Sequence, residues 1–189
     1  MIEVLMLGGT GAMGTFLVDI LAKSKINCVV TSRSKKNSYN YVTYICGNAK
    51  DDTFLFPLLE SRHWSSIIDF MSYSTDEFAN RFQKLLKCTD QYVYLSSSRV
   101  YANSETPLKE SSPRLLDSCS DKEYLSTDEY ALSKARQENL LLSCCLKNWT
   151  IIRPYITFSD ARLQLSCLEK EYWLKRVLDN KPIVFSKDL

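Results

Sequence analysis

Histidine is nearly absent from this chain of 189 residues, and long apolar runs are missing altogether. With His63 as its one histidine, the sequence argues against a Cys/His zinc site, and we expect His63 to be structural or at the surface. No run of about 18 apolar residues occurs, so we predict no membrane span. The amino terminus lacks the basic lead and small-residue cleavage site of a signal peptide, so we expect a cytoplasmic protein.

The net charge is also small, and this limits the kinds of partner that the sequence predicts. The value of +2 gives no electrostatic argument for nucleic acid, so we expect none and predict a small-molecule ligand instead. The seven cysteines are odd in number and include no C-x-x-C pair. We therefore expect reduced, mostly buried thiols, and neither disulfides nor a metal site.

Short apolar runs alternate with amphipathic stretches along the chain. The predicted strands are IEVLML, NCVVTS, YVTYIC, SSIIDFM, QYVYLSSS and WTIIRPY, with PIVF as a possible last one. The predicted helices span residues 12–23, 51–61, 75–87, 128–146 and 165–178. This alternation predicts an α/β fold with a parallel sheet covered on both faces, and the long segment 102–126 reads as irregular.

Glycine is scarce, yet four of the five glycines stand together in LMLGGTGAMGTFL, between the first strand and the first helix. Gly9, Gly11 and Gly14 fit G-x-G-x-x-G, while Gly8, Gly11 and Gly14 fit G-x-x-G-x-x-G. In this position such a turn brings backbone N–H groups and a helix N-terminus to a pyrophosphate. The cluster therefore predicts a dinucleotide site, the alternative being a merely structural tight turn.

The second strand bears on which dinucleotide is bound. No acidic residue occurs between Asp19 and Asp51, where an NAD site usually has a carboxylate for the ribose 2′-hydroxyl. The strand ends in TSRSKK, so Arg33 is placed to pair with a 2′-phosphate, with Ser32 and Lys35 as helpers. We predict that NADP(H) is preferred over NAD(H); a solvated basic turn is the alternative.

Two further stretches carry acid–base chemistry. In DEYALSKARQ, Tyr130 and Lys134 are four residues apart and share one face of a predicted helix. A neighbouring ammonium favours the tyrosinate, which makes Tyr130 a candidate general acid/base. A serine at the end of the fifth strand, in YLSSSRVY, could hydrogen-bond the substrate oxygen.

These motifs, GGTGAMG, SSSRVY, YALSK and IIRP, occur in an order that resembles the extended short-chain dehydrogenases/reductases of the NAD-dependent epimerase/dehydratase family. The resemblance implies a Rossmann-like, doubly wound parallel sheet with helices on both faces. It also implies Ser97, Tyr130 and Lys134 as the catalytic residues, and a homodimer. An NAD(P)-binding domain over residues 1–160 would be followed at 161–189 by the start of a substrate-binding subdomain, which is either truncated in this chain or belongs to an unusually short member of the family.

The turn, the second strand and the resemblance together indicate two sets of binding residues. The cofactor set, for NADP or NAD, is Gly8, Thr10, Gly11, Met13, Gly14, Ser32, Arg33, Asn48, Met71, Ser72, Lys134 and Pro154. The substrate set is Arg99, Tyr155 and Arg162. Where sugar dehydratases of the family carry an acidic pair, this chain has Ser98 and Arg99, so we do not expect elimination chemistry.

The resulting functional hypothesis is an NAD(P)-dependent oxidoreductase or epimerase. It would transfer hydride at a carbinol or carbonyl carbon, with Tyr130 as the acid/base, on a nucleotide sugar or a related substrate. The alternative is a non-catalytic cofactor-binding protein on the same fold, with a regulatory or RNA-associated function.

Overall fold

A computed structural model describes residues 2–158, 163–165 and 168–184 of the chain. The chain forms two compact units, Met1–Tyr155 and Ile156–Leu189. The first unit contains the sheet and every motif named above except the segment that follows Tyr155. The second unit contains one helix in its described part, α8 (Lys170–Leu178). The sequence-based division at residue 160 stays a prediction.

Six parallel strands form the sheet, in the order β3-β2-β1-β4-β5-β6. They are β1 (Glu3–Leu7), β2 (Asn27–Ser32), β3 (Val42–Cys46), β4 (Ser66–Asp69), β5 (Tyr92–Leu95) and β6 (Trp149–Ile152). The order reverses direction between β1 and β4, which is where ligands bind in open α/β sheets. The predicted Rossmann-like α/β fold is confirmed.

Seven helices complete the first unit among its described residues. They are α1 (Ala12–Lys23), α2 (Asp52–Glu60), α3 (Thr75–Ala79), α4 (Phe82–Lys87), α5 (Leu115–Ser118), α6 (Lys122–Ser126) and α7 (Tyr130–Ser143). The predicted helix 75–87 is thus two helices. The break falls at Arg81, whose buried guanidinium lies 3.0 Å from the carboxylate of Asp52 and over the ring of Tyr73. We attribute the break to this pairing of Arg81 with Asp52 and Tyr73, which would not form if residues 75–87 were one continuous surface helix.

Two other predictions also differ from the structure. Segment 102–126 is not wholly irregular, because it contains α5 and α6, the latter capped by the Asp121 carboxylate on the Tyr124 N–H. The predicted helix 165–178 begins only at Lys170, and residues 182–184 of the PIVF segment form no strand. The Pro182 carbonyl instead accepts a hydrogen bond from Arg176, and proline has no N–H to donate to a ladder.

Alternation along the buried strands places one apolar cluster on each face of the sheet. Val4 and Met6 of β1 pack with Val18 of α1 on one face, while Leu5 and Leu7 face the other. The second face holds the larger cluster, which includes residues from α2, α3, α4 and α7. Its aromatic side chains pack around Phe78, whose ring lies 5.0 Å from that of Tyr94. The core therefore fixes the carboxyl ends of β1, β4 and β5 relative to each other.

The cysteines are free thiols in the described part of the chain, but the expectation that most are buried is wrong. Cys28 is buried on β2, whereas Cys46 and Cys145 are exposed. Burial raises the pKa of the Cys28 thiol, which keeps it protonated and unreactive. Three others are half-buried, and Cys167 lies outside the described residues.

His63 lies at the surface, as predicted, with its Nε2 atom 2.8 Å from the Asp90 carboxylate. Among the described residues, no helix combines the length and the apolar character that crossing a membrane requires. Neither observation adds to the site, which the carboxyl ends of the strands define.

Candidate cofactor and catalytic site

The glycine turn between β1 and α1 uses its glycines in different ways. Gly8 has a φ of +69°, the left-handed region that favours glycine. A Cβ at Gly14 would lie 2.5 Å from the Gly9 carbonyl oxygen, so the helix packs on its own turn there. A Cβ at Gly11 would meet nothing closer than 3.9 Å. A Cβ at Gly9 would lie 2.9 Å from the Val30 side chain, so Gly8, Gly9 and Gly14 each occupy a position where a larger residue would be strained or crowded.

Gly11 is also the N-cap of α1, and this end of the helix has the features of an anion-binding site. No side chain caps it, and its first turn contains no acidic residue. Helix N–H groups without side-chain partners and a positive dipole end favour a phosphate. Together with the open space in front of Gly11, they form a cradle that fits the pyrophosphate of a dinucleotide.

A cavity of about 580 Å³ opens in front of this cradle, at the carboxyl ends of β1, β2 and β4. It is lined by Gly8, Thr10, Gly11, Thr31, Ser32, Arg33, Gly47, Asn48, Ala49, Lys50, Phe70, Met71 and Ser72. Among the described residues, the lining includes two cations, Arg33 and Lys50, and no carboxylate. Eight of the residues predicted for cofactor binding therefore meet in one cavity.

The basic end of the cavity lies between β2 and the segment after β3. Arg33 is exposed there, and the Ser32 hydroxyl accepts a hydrogen bond from the Ser34 N–H. Across from them the Asn48 side-chain oxygen accepts from the Lys50 N–H at 3.1 Å. The Lys50 ammonium lies 3.2 Å from a Glu77 carboxylate oxygen.

Four predicted cofactor residues lie outside this cavity lining. Met13 is exposed on α1, Gly14 packs on Gly9, Lys134 is buried on α7, and the Pro154 carbonyl accepts from the Ser98 N–H at 3.0 Å. Sequence reasoning missed Thr31, Gly47, Ala49, Lys50 and Phe70. All five lie at or just beyond a strand's carboxyl end, a signal that could have found them.

Ser97 follows β5 and begins a short 3-10 turn, Ser98–Val100. Its Oγ atom accepts a hydrogen bond from the Arg99 N–H at 3.2 Å, and the side chain is buried. This turn sets the direction of the chain where β5 ends. The neighbouring Ser96 hydroxyl points elsewhere, because it donates to a Glu138 carboxylate oxygen at 2.6 Å.

Tyr130 and Lys134 lie one turn apart on α7, and their environments differ sharply. Tyr130 begins the helix and is 40% exposed, whereas Lys134 is 3% exposed. The Lys134 ammonium donates to the Leu95 carbonyl at 2.7 Å and lies 4.7 Å from the centre of the Tyr94 ring. Burial lowers the pKa of Lys134 to about 8, although nearby carboxylates act in the opposite direction.

Of the predicted substrate residues, Arg99 lies against Tyr130. Its guanidinium is 5.5 Å from the centre of the Tyr130 ring and donates to a Glu129 carboxylate oxygen at 3.0 Å. Tyr155 is largely exposed at the end of the first unit. Arg162 lies outside the described residues.

A parallel doubly wound sheet with a glycine turn after β1 and a cavity at the switch point defines a dinucleotide-binding type of fold. Solved structures share it. One is the UDP-Glc/GlcNAc 4-epimerase of Campylobacter jejuni, at a TM-score of 0.63 and 18% identity over 81% of this chain and 53% of that one. Another is the Bordetella bronchiseptica enzyme WbmH in complex with NAD⁺, at a TM-score of 0.67 and 15% identity over 95% and 63%. The resemblance to NAD-dependent epimerases and dehydratases is thus confirmed in the fold.

Among curated proteins, this chain is similar to the chloroplast stem-loop binding protein of 41 kDa b from Arabidopsis thaliana. The two are 24% identical over 96% of this chain and 48% of the relative, so the chain spans about half of that protein's length. No protein-family model matches the chain.

Proposed function

We propose that this chain binds NADP(H) and acts in an oxidoreductase or epimerase, which transfers hydride at a carbinol or carbonyl carbon. The observation that carries the proposal is the cavity at the glycine turn, which has an open helix N-terminus, two lining cations and, in the part of the chain that the structure describes, no lining carboxylate. The phosphates of NADP(H) carry the negative charge that such a lining favours.

The chain's own residues divide the work of holding the cofactor. The backbone from Gly8 to Gly11 and the start of α1 would hold the pyrophosphate. Arg33 and Ser32 would hold the 2′-phosphate, and Asn48 would lie near the adenine, with Met71 and Ser72 forming the opposite wall. The bound cofactor would supply hydride transfer at its nicotinamide ring.

Several of the related structures hold NAD, among them WbmG of Bordetella bronchiseptica with NAD and UDP. The preference for NADP(H) is therefore a proposal for this chain alone, and Arg33 is its basis. A guanidinium pairs with a phosphate through parallel hydrogen bonds, whereas a carboxylate at this point would repel it.

The catalytic step that we propose is proton transfer by Tyr130 to or from the substrate oxygen. Tyr130 is exposed where a substrate could reach it, and Ser97 at the end of β5 would orient that oxygen. Lys134 would favour the tyrosinate through its charge and hold the nicotinamide ribose. The related epimerases support a nucleotide sugar or a similar substrate. A homodimer and a cytoplasmic location stay predictions.

The deciding experiment is calorimetric titration of the chain with NADPH and with NADH. We expect NADPH to bind at least about tenfold more tightly, and Arg33→Gln to abolish that ratio by removing the guanidinium partner of the 2′-phosphate. Lys36→Gln is the matched control, because Lys36 belongs to the same exposed basic turn but does not line the cavity. A ratio near or below one in the unmodified chain would overturn the NADP preference, and no binding of either would overturn the cofactor site.

A second candidate function is RNA binding, favoured by the similarity to the chloroplast stem-loop binding protein of Arabidopsis thaliana. The net charge of +2 is low for that function. Titration of a labelled RNA stem-loop at physiological salt tests it directly. Saturable binding that is not competed by an unpaired strand of equal length supports this candidate. The absence of such binding rejects it.

A further inference from the structure

Asp69 is a buried acid that no step above uses. It is the last residue of β4 and only 1% exposed. In the sheet it is the register partner of Tyr94 on β5, so the two side chains leave the same face of adjacent strands. Two residues later the chain reaches Met71 and Ser72, which line the cofactor cavity. Asp69 thus stands between the cavity wall and the residues beneath α7.

Three donors surround the Asp69 carboxylate. Tyr92 donates its hydroxyl to Oδ2 at 2.7 Å, and the Met71 N–H and Tyr73 hydroxyl donate to Oδ1 at 2.9 and 3.4 Å. The bond from Met71 closes a local turn that presents this methionine to the glycine turn. A Cβ at Gly8 would lie 2.7 Å from the Met71 sulfur, so the wall and the turn are in close contact.

The same segment is fastened to the helix that carries Tyr130 and Lys134. The Tyr73 carbonyl accepts hydrogen bonds from the Ser133 hydroxyl at 3.3 Å and from the Gln137 amide at 2.8 Å. Both donors lie on α7, on either side of Lys134 in sequence. Residues 69–73 therefore connect the cofactor wall to the catalytic helix through buried hydrogen bonds.

Charge connects them as well. The Lys134 ammonium lies over the ring of Tyr94, the register partner of Asp69. The groups that face this ammonium are Asp69 from β4, the Tyr94 ring and the Leu95 carbonyl from β5, and Glu138 from α7 itself.

Of the two carboxylates, Glu138 is already paired with Arg114 and Arg153. Asp69 forms no salt bridge with any described residue. Burial raises the pKa of Asp69, but its three hydrogen-bond donors favour the ionised carboxylate, which accepts and cannot donate.

We propose that Asp69 is a positioning residue with two tasks: it holds the cofactor wall at Met71, and it supplies the buried negative charge that keeps Lys134 protonated. The first task rests on the proposed cofactor site, whereas the second concerns Lys134 alone. One acid would thereby couple the geometry of the cofactor wall to the charge of the catalytic lysine.

Two substitutions separate these tasks. Asp69→Asn removes the charge but keeps a side-chain oxygen that can accept from the Met71 N–H, whereas Asp69→Ala removes both. Tyr92→Phe is the matched control, because it deletes one buried hydroxyl bound to the same carboxylate and leaves the charge and the Met71 bond. Chemical unfolding of each variant establishes that it is folded.

The first measurement is NMR titration of the ε-carbon of Lys134 in protein with labelled lysine, assigned by its loss in Lys134→Arg. We expect Asp69→Asn to lower the midpoint by about one pH unit or more, because a buried opposite charge is lost. Tyr92→Phe should shift it by much less. A midpoint unchanged in Asp69→Asn overturns the role as counter-charge.

The second measurement is the Kd for NADPH at pH 6, where the lysine is protonated in the unmodified chain. We expect Asp69→Ala to weaken binding about tenfold beyond Asp69→Asn, because only the alanine frees the Met71 turn. Equal dissociation constants in the two variants overturn the positioning of the wall.

Failure of the unmodified chain to bind NADPH rejects the proposed cofactor site instead, while the lysine titration still tests the counter-charge role. If Asp69→Ala does not fold, Asp69→Asn and Tyr92→Phe still decide the role of Asp69 as counter-charge to Lys134.

Discussion

Glu138 of α7 and Arg153, which follows β6, form a two-point ion pair in which Nε and Nη2 each lie 2.8 Å from a different carboxylate oxygen. Arg114 adds a second cation at 3.1 Å. The Glu138 side chain is fully buried, so its charge depends on these partners. The arginine of the IIRP motif thus has a structural contact: it ties β6 to the helix that carries Tyr130.

We expect Glu138→Gln to lower the free energy of unfolding by about 3 kcal/mol, because the largely buried Arg153 loses its counter-charge and Arg114 keeps only that of Asp117. Urea unfolding monitored by circular dichroism measures the change. Glu60→Gln is a fitting control, because the ion pair of Glu60 with Lys84 is well exposed and contributes at most about 1 kcal/mol. Equal losses in the two variants would contradict the importance of the buried pair.

Acid should weaken the same contact. Burial opposes ionisation of Glu138, but hydrogen bonds from Arg153, Ser96 and Arg114 outweigh it and hold its pKa below the ordinary value of 4.5. Because the pKa is lower in the folded state, the stabilisation is fully present above pH 4.5 and is lost as pH falls through the folded-state pKa. The stability difference between the unmodified chain and Glu138→Gln should therefore shrink below that pH. A difference that is constant from pH 7 to pH 3 would argue against this linkage.

Alanine at two glycines of the turn should have opposite consequences. Gly14→Ala places a Cβ 2.5 Å from a backbone oxygen, so we expect it to destabilise the fold. Gly11→Ala meets open space at a φ of −78°, so we expect nearly unchanged stability but loss of NADPH affinity, because the Cβ enters the cradle. Thermal unfolding and calorimetric titration separate the two effects. Tight NADPH binding by Gly11→Ala would exclude the cradle as the pyrophosphate site.

The free energy of unfolding at alkaline pH should show the cost of burying Lys134. Its pKa falls from 10.5 to about 8 on folding, so between these values the unfolded chain binds more protons than the folded one. Folding stability linked to Lys134 therefore rises with pH across this range, by about 3 kcal/mol in total. Lys134→Met should lack this rise, so its stability relative to the unmodified chain should decrease from pH 7.5 to pH 10. Parallel pH profiles of the two proteins would show that the lysine is not strained.

Local patterns predicted most of the fold, because strands and helices here follow their apolar periodicity. The sheet and its glycine turn are where alternation and the cluster at Gly8–Gly14 place them. The helix 75–87 was predicted wrongly as continuous, because its break depends on Arg81 and Asp52, which are far apart in sequence. The possible strand at PIVF was also predicted wrongly, because its proline carbonyl accepts a hydrogen bond from Arg176 of α8, a pairing that the apolar pattern of the segment does not show.

The sequence by itself determined the α/β class, the position of the turn, and the residue types that mark a dinucleotide site, because these depend on neighbours within a few positions. Only the tertiary structure decided that Lys50 and Arg33 share one cavity, that Lys134 is buried over Tyr94, and that Asp69 lies between the cavity wall and α7. Those relationships join residues on different strands and helices. Burial and long-range pairing, which set charge and proton affinity, exist only once the sheet has brought them together.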